Sequence, residues 1–241
     1  MPNRVLVMGL PGSGKTTLCE AVKELMGEKI AYFNADAIRG QFDDWDFSME
    51  GRIRQAERMK MFADMAMADG QHAICDFVCP TTELRQIFEP DVLVWVDTIG
   101  AGRYEDTNKL FEEPESYTVH VTTQNCDHWK YAVENAIQPY VWDNQAPTVQ
   151  MLGRWQPWHD GHQALFEQAL GRAKQVQIMV RDVEGIDKKN PFNFYDVEER
   201  ITKRLRPIYG GHFRVMLVPN ITNIVYGRDV GYKIEEIDLP D

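Results

Sequence analysis

The tightest constraint on this chain is a run near its start. Val5-Leu-Val-Met8 is uninterrupted and apolar, Gly9-Leu-Pro-Gly12-Ser13-Gly14 follows, and Lys15-Thr16-Thr17 opens an amphipathic stretch that continues to Met26. The apolar run reads as a buried strand and the stretch after it as a helix, Thr16 to Met26. The glycines let backbone N–H groups turn inward around an anion, and the helix N-terminus that follows adds a favourable dipole. A strand that passes straight into a helix through such a loop builds an α/β layer.

The same alternation continues. Ala31-Tyr-Phe33 is a second strand ending at Asn34-Ala-Asp36, Met49 to Asp69 a helix, Ala73 to Val78 a third strand, Val92 to Val96 a fourth, and Tyr117 to Thr122 a fifth. Met59, Phe62, Ala63, Met65 and Ala66 form an apolar stripe on the long helix, with methionine serving as core filler. Apolar strands alternating with helices imply a parallel sheet covered on both faces. Residues 139–148, with Pro139, Pro147 and an Asn/Gln patch, break the pattern and read as a linker. A second α/β series follows: strand Val149 to Leu152, helix Gly161 to Lys174, strand Val176 to Val180, helix Tyr195 to Tyr209, then strands Phe213 to Val218 and Ile224 to Tyr226. The expected domains are 1–140 and 148–241.

Charge supports the division. Residues 1–145 hold 13 Lys+Arg against 24 Asp+Glu, whereas residues 146–241 hold 13 against 13, so the whole net charge of −11 lies in the first part. An acidic balance without a basic face argues against nucleic-acid binding. Small anionic substrates must then be held by local groups. No apolar run approaches the roughly 18 residues of a membrane span, and the N-terminus lacks a signal peptide's apolar core. Cys19, Cys75, Cys79 and Cys126 form neither a disulfide framework nor a paired zinc pattern. A cytoplasmic protein is expected, and a homodimer stays open.

Gly9, Gly14, Lys15 and Thr16 satisfy G-x-x-x-x-G-K-[ST], the P-loop, in its required strand–loop–helix setting. Gly12, Ser13 and Thr17 complete the nucleotide-binding run. Lys15 neutralises β- and γ-phosphate oxygens, and the Thr16 hydroxyl ligates Mg²⁺. The first half also resembles adenylyl-sulfate kinases. Those carry G-L-S-G-S-G-K-S-T, D-G-D-N-x-R, F-S-x-x-D-R-x-E-N-x-R-R and S-F-I-S-P. Here Asn34-Ala-Asp36-Ala-Ile-Arg39, Phe47-Ser48-Met-Glu-Gly51-Arg52 and Asp76-Phe77-Val-Cys-Pro80 stand at the second, third and fourth blocks.

The resemblance implies that Asp36 is a catalytic or Mg²⁺-associated carboxylate. It implies that Arg39 and Arg52 hold the acceptor's anionic groups and that Phe47 and Phe77 pack near it. Lys109 and Arg103 become lid cations. Asp36 also reads as a strand-end turn residue, and Arg52 as a solvated helix residue. The chain departs from the family at Asn34, which replaces the first Asp of D-G-D-N. It departs again at Gly51-Arg52, which replaces D-R, and after Phe111, where the family's F-T-G-I-D is missing.

Gly153-Arg154-Trp-Gln-Pro-Trp-His159-Asp-Gly161-His162 follows a strand and opens a helix. It resembles the H-x-G-H motif of nucleotidylyltransferases, which implies a small Rossmann-like domain using a second NTP, ATP or CTP. Gly153 and Gly161 allow the NTP close to the backbone. His159 and His162 donate to phosphates as charge builds on leaving pyrophosphate. The resemblance implies that Arg154 touches phosphate or the acceptor, that Lys188 and Lys189 are mobile-loop cations, and that Arg228-Asp229 stand where the class sets a loop against the base and ribose of the nucleotide. The two histidines also read as a metal pair or as packed core residues. The I-S-x-T-x-x-R helix usual in that class does not appear before Asp241.

The leading expectation is a bifunctional enzyme. Its first part phosphorylates a hydroxyl, with adenylyl sulfate the first candidate and 3′-phosphoadenylyl sulfate the product, and its second transfers a nucleotidyl group with pyrophosphate release. One alternative is a kinase for another small alcohol or nucleotide coupled to a transferase that caps the product. The other is a kinase with a degenerate nucleotide-sensing second domain.

Overall fold

Five parallel strands in the order β2-β3-β1-β4-β5 form the sheet of the first unit in a computed structural model of the chain. The structure describes residues 1–182, 186, 188, 190–225, 227–228, 231 and 233–237. The chain divides into two compact units, Met1–Pro139 and Tyr140–Asp241.

In the first unit the strands are β1 (Arg4–Met8), β2 (Ile30–Asn34), β3 (His72–Asp76), β4 (Val92–Val96) and β5 (Val119–Val121). The helices are α1 (Lys15–Met26), α2 (Ala35–Phe42), α3 (Met49–Ala68), α4 (Thr82–Phe88), α5 (Glu105–Leu110) and α6 (Cys126–Ile137). β1 is central, and Val5, Leu6, Val7 and Met8 are buried on both of its faces, as an all-parallel sheet requires. α3 and α4 pack together on one face and α1 with α6 on the other. Met59, Ala63 and Ala66 of α3 join Leu6, Met8 and Phe88 in the core.

Helix starts follow local chemistry. Ser48, Thr81 and Asn125 accept from the backbone amides of Gly51, Leu84 and His128 and so cap α3, α4 and α6. The sequence reading missed α2, α4, α5 and α6. Each is at most 12 residues long; α2, α4 and α6 carry side-chain caps at Asn34, Thr81 and Asn125, and α5 has none.

The second unit is a parallel sheet β6 (Val149–Gly153), β7 (Val176–Arg181), β8 (Phe213–Val218), connected through α7 (Asp160–Leu170) and α8 (Phe194–Tyr209). Phe166, Tyr209 and Phe213 meet edge to face under the sheet, with centroids 4.9 and 5.9 Å from Phe166. Three expectations change here. Ile224 and Val225 are 62% and 92% exposed and belong to no strand, because no described segment pairs with them; Tyr226 lies outside the described residues.

The expected linker is a strap fastened to the second unit. The buried Gln175 side chain donates to Asp143 O at 2.6 Å and Thr148 Oγ1 at 2.6 Å, and accepts from Asp143 N at 3.2 Å. Tyr140 stacks on His212 with centroids 4.0 Å apart. Helix α7 ends at Leu170, four residues before the expected Lys174, closed by Gly171.

Candidate functional site

The carboxyl ends of β1, β2 and β3 open into a cleft of about 510 Å³, a size suited to a small-molecule ligand. Crevices at this end of parallel sheets are the usual ligand sites. β1 leads into the glycine loop. Gly9 (φ 151°) must be glycine, because a Cβ would lie 2.2 Å from the Val96 carbonyl oxygen of β4. Gly14, in the left-handed region, starts α1 without a side-chain cap, which leaves the first-turn amides for a ligand. Ser13 Oγ is buried without a hydrogen-bond partner, and Thr98 Oγ1 braces the loop through Ser13 O at 2.6 Å. Lys15 Nζ donates to Leu10 O at 3.0 Å. Burial pulls its pKa below the ordinary ammonium value, with Asp76 opposing the shift. A desolvated cation in a cradle of open amides suits phosphate.

The Thr16 hydroxyl donates to Asp76 Oδ2 at 2.6 Å. Asp36 stands in the first turn of α2 on the cleft wall, so it is a helix residue rather than a turn residue. Asp76 closes β3, is almost wholly buried, and also accepts from Asn34 Nδ2 at 2.9 Å and Tyr32 OH at 3.2 Å. Asp76 was legible only as one letter of the Asp76-to-Pro80 block. Its place beside Thr16 comes from parallel pairing of β1 with β3, which sets Val7 opposite Asp76. The donor set at this mouth is all oxygen, hydroxyl plus carboxylate, which fits Mg²⁺ carried by nucleotide phosphates. Among the described residues no group of three His, Cys, Asp or Glu forms a metal cage.

The opposite wall is aromatic and cationic. Arg39 is buried and its Nη1 donates to Asp44 O at 2.9 Å and Asp46 O at 3.0 Å. Burial lowers its pKa, with Asp44 opposing. Its guanidinium lies 4.7 Å from the Phe47 ring centroid, and that of Arg52 lies 6.0 Å away. Arg52 donates to Phe47 O at 3.0 Å and Thr107 Oγ1 at 3.3 Å, so it is held rather than simply solvated. Phe77 lines the cleft and packs edge-on against Phe88 at 5.3 Å. Arg103, Trp45 and Tyr104 also line it. Sequence reading missed Trp45, which no periodicity marks. Lys109 is a correction: it pairs with Glu105 at 2.8 Å, one helical turn away and exposed, and does not line the cleft.

In the second unit, β6 ends at Gly153, where a Cβ would meet the Trp155 ring at 2.6 Å. His159 sits at the N-cap of α7 and stacks on His162 with centroids 3.7 Å apart. Trp155 and Trp158 box His162 at 5.0 and 5.6 Å. His162 Nδ1 and Trp158 Nε1 are buried with no hydrogen-bond partner. Burial, then His159, lowers the His162 pKa, so the ring is neutral near pH 7. Gly161 leaves room beside the His159 ring, 3.1 Å from a built Cβ. Arg154 is tied to Asn190 at 3.3 Å. Lys188 and Arg228 are exposed, and no hydrogen bond or ion pair among the described residues links them to the histidines. Asp229 and Lys189 lie outside the described residues.

Residues 1–97 match the family model described as adenylylsulphate kinase. A probable adenylyl-sulfate kinase of Aeropyrum pernix is 31% identical over 87 residues, 34% of this chain and 48% of that protein. The chain thus spans about half the length of the curated relative it matches. The protein APE1195 aligns at TM-score 0.50 and 21% identity, over 57% of this chain and 95% of that one. A Mycobacterium tuberculosis APS kinase solved with AMPPNP and APS aligns at TM-score 0.49 and 20% identity, over 57% of this chain and 99% of the other. The N-terminal part is thus similar in sequence to adenylylsulphate kinases, and its P-loop stands in a parallel α/β sheet. No described helix is long and apolar enough to cross a membrane.

Proposed function

We propose that the first unit is an ATP- and Mg²⁺-dependent kinase acting on a hydroxyl of a small anionic acceptor, with adenylyl sulfate the first candidate. The observation that carries this is one cleft holding both the Lys15–Thr16 phosphate cradle and the Arg39–Phe47–Arg52 wall. Forked guanidiniums suit sulfate and phosphate oxygens, and an aromatic face suits a nucleobase. The acceptor hydroxyl attacks the γ-phosphorus, the bond to the β,γ-bridging oxygen breaks, and ADP leaves. Asp36, on the cleft wall, accepts the hydroxyl proton. Lys15 and the loop amides hold the charge that gathers on the β- and γ-oxygens. Mg²⁺ bound with ATP supplies further neutralisation of that charge.

Purified protein with ATP and Mg²⁺ should form ADP faster when adenylyl sulfate is added, and the 3′-phosphorylated product should appear by mass spectrometry. ATP turnover indifferent to adenylyl sulfate would remove that acceptor. A response to another alcohol or nucleotide would then identify the substrate.

The second unit is proposed as a nucleotidyl-transfer site using a second NTP. The stacked His159–His162 pair at an uncapped helix start, with His162 Nδ1 and Trp158 Nε1 unsatisfied, supports a ligand-facing role. In that reaction an acceptor oxygen attacks the α-phosphorus and pyrophosphate leaves. Pyrophosphate release that requires an NTP and is lost in His159→Ala would support it. The reading places the protein in the cytoplasm, where ATP is available and its thiols stay reduced.

A further inference from the structure

We propose that Arg85 is a positioning residue that couples two segments lining the first unit's cleft, so that a nucleotide held by the Gly9–Thr16 loop is felt at the Phe77–Pro80 loop. The inference rests on the kinase reading above. Arg85 stands on α4, does not itself line the cleft, and is only 7% exposed. Burying a guanidinium is unfavourable unless its donors are satisfied. Those of Arg85 serve two backbone segments that both reach the cleft. Nη1 donates to Glu112 O at 3.0 Å and to Cys79 O at 3.4 Å, and Nη2 donates to Thr82 Oγ1 at 2.9 Å. Glu112 closes the clamp from its own side. Its amide donates to Pro80 O at 2.8 Å, and its Oε2 accepts from Thr82 N at 2.7 Å.

The segment that ends at Glu112 begins on the phosphate loop. Thr98 Oγ1 donates to Ser13 O at 2.6 Å. A Cβ on Gly102 would stand 2.9 Å from Pro11 Cδ, and one on Gly12 would stand 3.7 Å from Arg103 Nε. Farther on, the segment presents Arg103, Tyr104 and Thr107 to the cleft. Residues 98–112 are therefore fixed at one end to the loop that receives nucleotide phosphates and at the other to Arg85. The Phe77–Pro80 loop is the second partner of that guanidinium. Cys79 within it holds φ 43°, a left-handed conformation that strains a non-glycine residue and persists where neighbours enforce it. The carbonyls of Cys79 and Glu112 share one Nη1 group, so a shift of either segment changes the hydrogen bond left to the other. An apolar side chain of similar length would fill the space of Arg85 but leave the two carbonyls uncoupled.

The test is amide-resolved hydrogen exchange of the full chain with and without the ATP analogue AMP-PNP and Mg²⁺, alongside calorimetric binding of the same analogue. The reporters are the Phe77 and Leu84 amides, which donate to Val7 O and Thr81 Oγ1, and the Asn108 amide, which donates to Tyr104 O. The proteins are the native chain, Arg85→Met and Glu112→Ala. In the native protein AMP-PNP should slow exchange at all three reporters, at Phe77 and Leu84 by about 5-fold or more. In Arg85→Met the slowing at Asn108 should remain, while that at Phe77 and Leu84 falls below about 2-fold. Faster exchange at Phe77 and Leu84 with an undiminished AMP-PNP effect would mark Arg85 as a support of the fold only and overturns the proposal. So does a native protein that binds AMP-PNP with no slowing at those two amides. Should Arg85→Met not fold, Glu112→Ala decides alone, since its side chain is 54% exposed and supplies the Thr82 half of the clamp. A weakened AMP-PNP effect at Phe77 and Leu84 then supports the coupling, and an unchanged one refutes it. A native protein that binds no AMP-PNP would defeat the kinase reading and this assignment with it, an outcome distinct from the others.

Discussion

Replacing Gly9 by alanine separates two physical costs that the loop combines. A Cβ at Gly9 would sit 2.2 Å from Val96 O, 3.2 Å from Val96 C and 3.0 Å from Ser13 Oγ. The first contact is about 1 Å inside ordinary carbon–oxygen separation, and the oxygen belongs to the backbone of β4, which is hydrogen-bonded to β1 and cannot swing aside. Positive φ strain costs about 1–3 kcal/mol, and overpacking adds about 1–3 kcal/mol. Gly9→Ala should therefore lose roughly 2–6 kcal/mol, a large share of a domain's stability. Gly14 also has a positive φ, 96°, but nothing lies within 4 Å of its built Cβ, so Gly14→Ala pays the strain alone. At about 3 °C per kcal/mol for a unit of this size, the first unit of Gly9→Ala should melt several degrees below that of Gly14→Ala. Hydrogen exchange resolved to peptides of β1 and α1 assigns the loss to this unit rather than to the second. Equal stability of the two variants would refute the steric reasoning.

Other perturbations test other parts. Arg39→Lys removes the guanidinium whose Nη1 serves Asp44 O and Asp46 O, so acceptor KM should rise roughly 10-fold, about 1.4 kcal/mol, with ATP KM little changed; a uniform change in both in steady-state kinetics would contradict the wall's assignment. Gln175→Met leaves the strap's amide and carbonyls unsatisfied and should cost about 2–4 kcal/mol, seen as faster exchange of the Asp143 amide; native exchange rates there would mean that the strap is held by the Tyr140–His212 stack. The His162 pKa is lowered from 6.5, so near pH 6 the folded state binds fewer protons than the unfolded chain. Stability from the second unit is then full above pH 6.5 and falls as pH drops below it. His162→Gln should flatten that slope in melts between pH 5 and 7, and an unchanged slope would assign it elsewhere.

Much of the first unit was legible in one dimension because parallel-sheet strands are buried on both faces and announce themselves as apolar runs. β1 to β4 match their runs within two residues at each end. The short helices α2, α4 and α5, of 8, 7 and 6 residues, were not legible, since a helix of about two turns carries too few residues for its period to show. Lys109 illustrates the limit for site residues. Its charge and motif neighbourhood suggested a lid, yet one helical turn gave it Glu105 as a closer partner.

By itself the sequence determined the phosphate cradle, because G-x-x-x-x-G-K-[ST] is local: strand, loop and helix are contiguous, and the needed amides come from the backbone that those residues bend. It determined the His159–His162 proximity for the same reason, a three-residue spacing at a helix start. Only the tertiary structure decided which carboxylate stands at Thr16. Asp36 and Asp76 are both acidic residues close to strand ends, and nothing in their spacing ranks them. Parallel pairing of β3 with β1 and β2 brings Asp76 to Thr16 across 60 residues and sets Asn34 against it across 42. A carboxylate's role depends on the donors and charges around it, and those come from register, which the sequence fixes only through the fold as a whole.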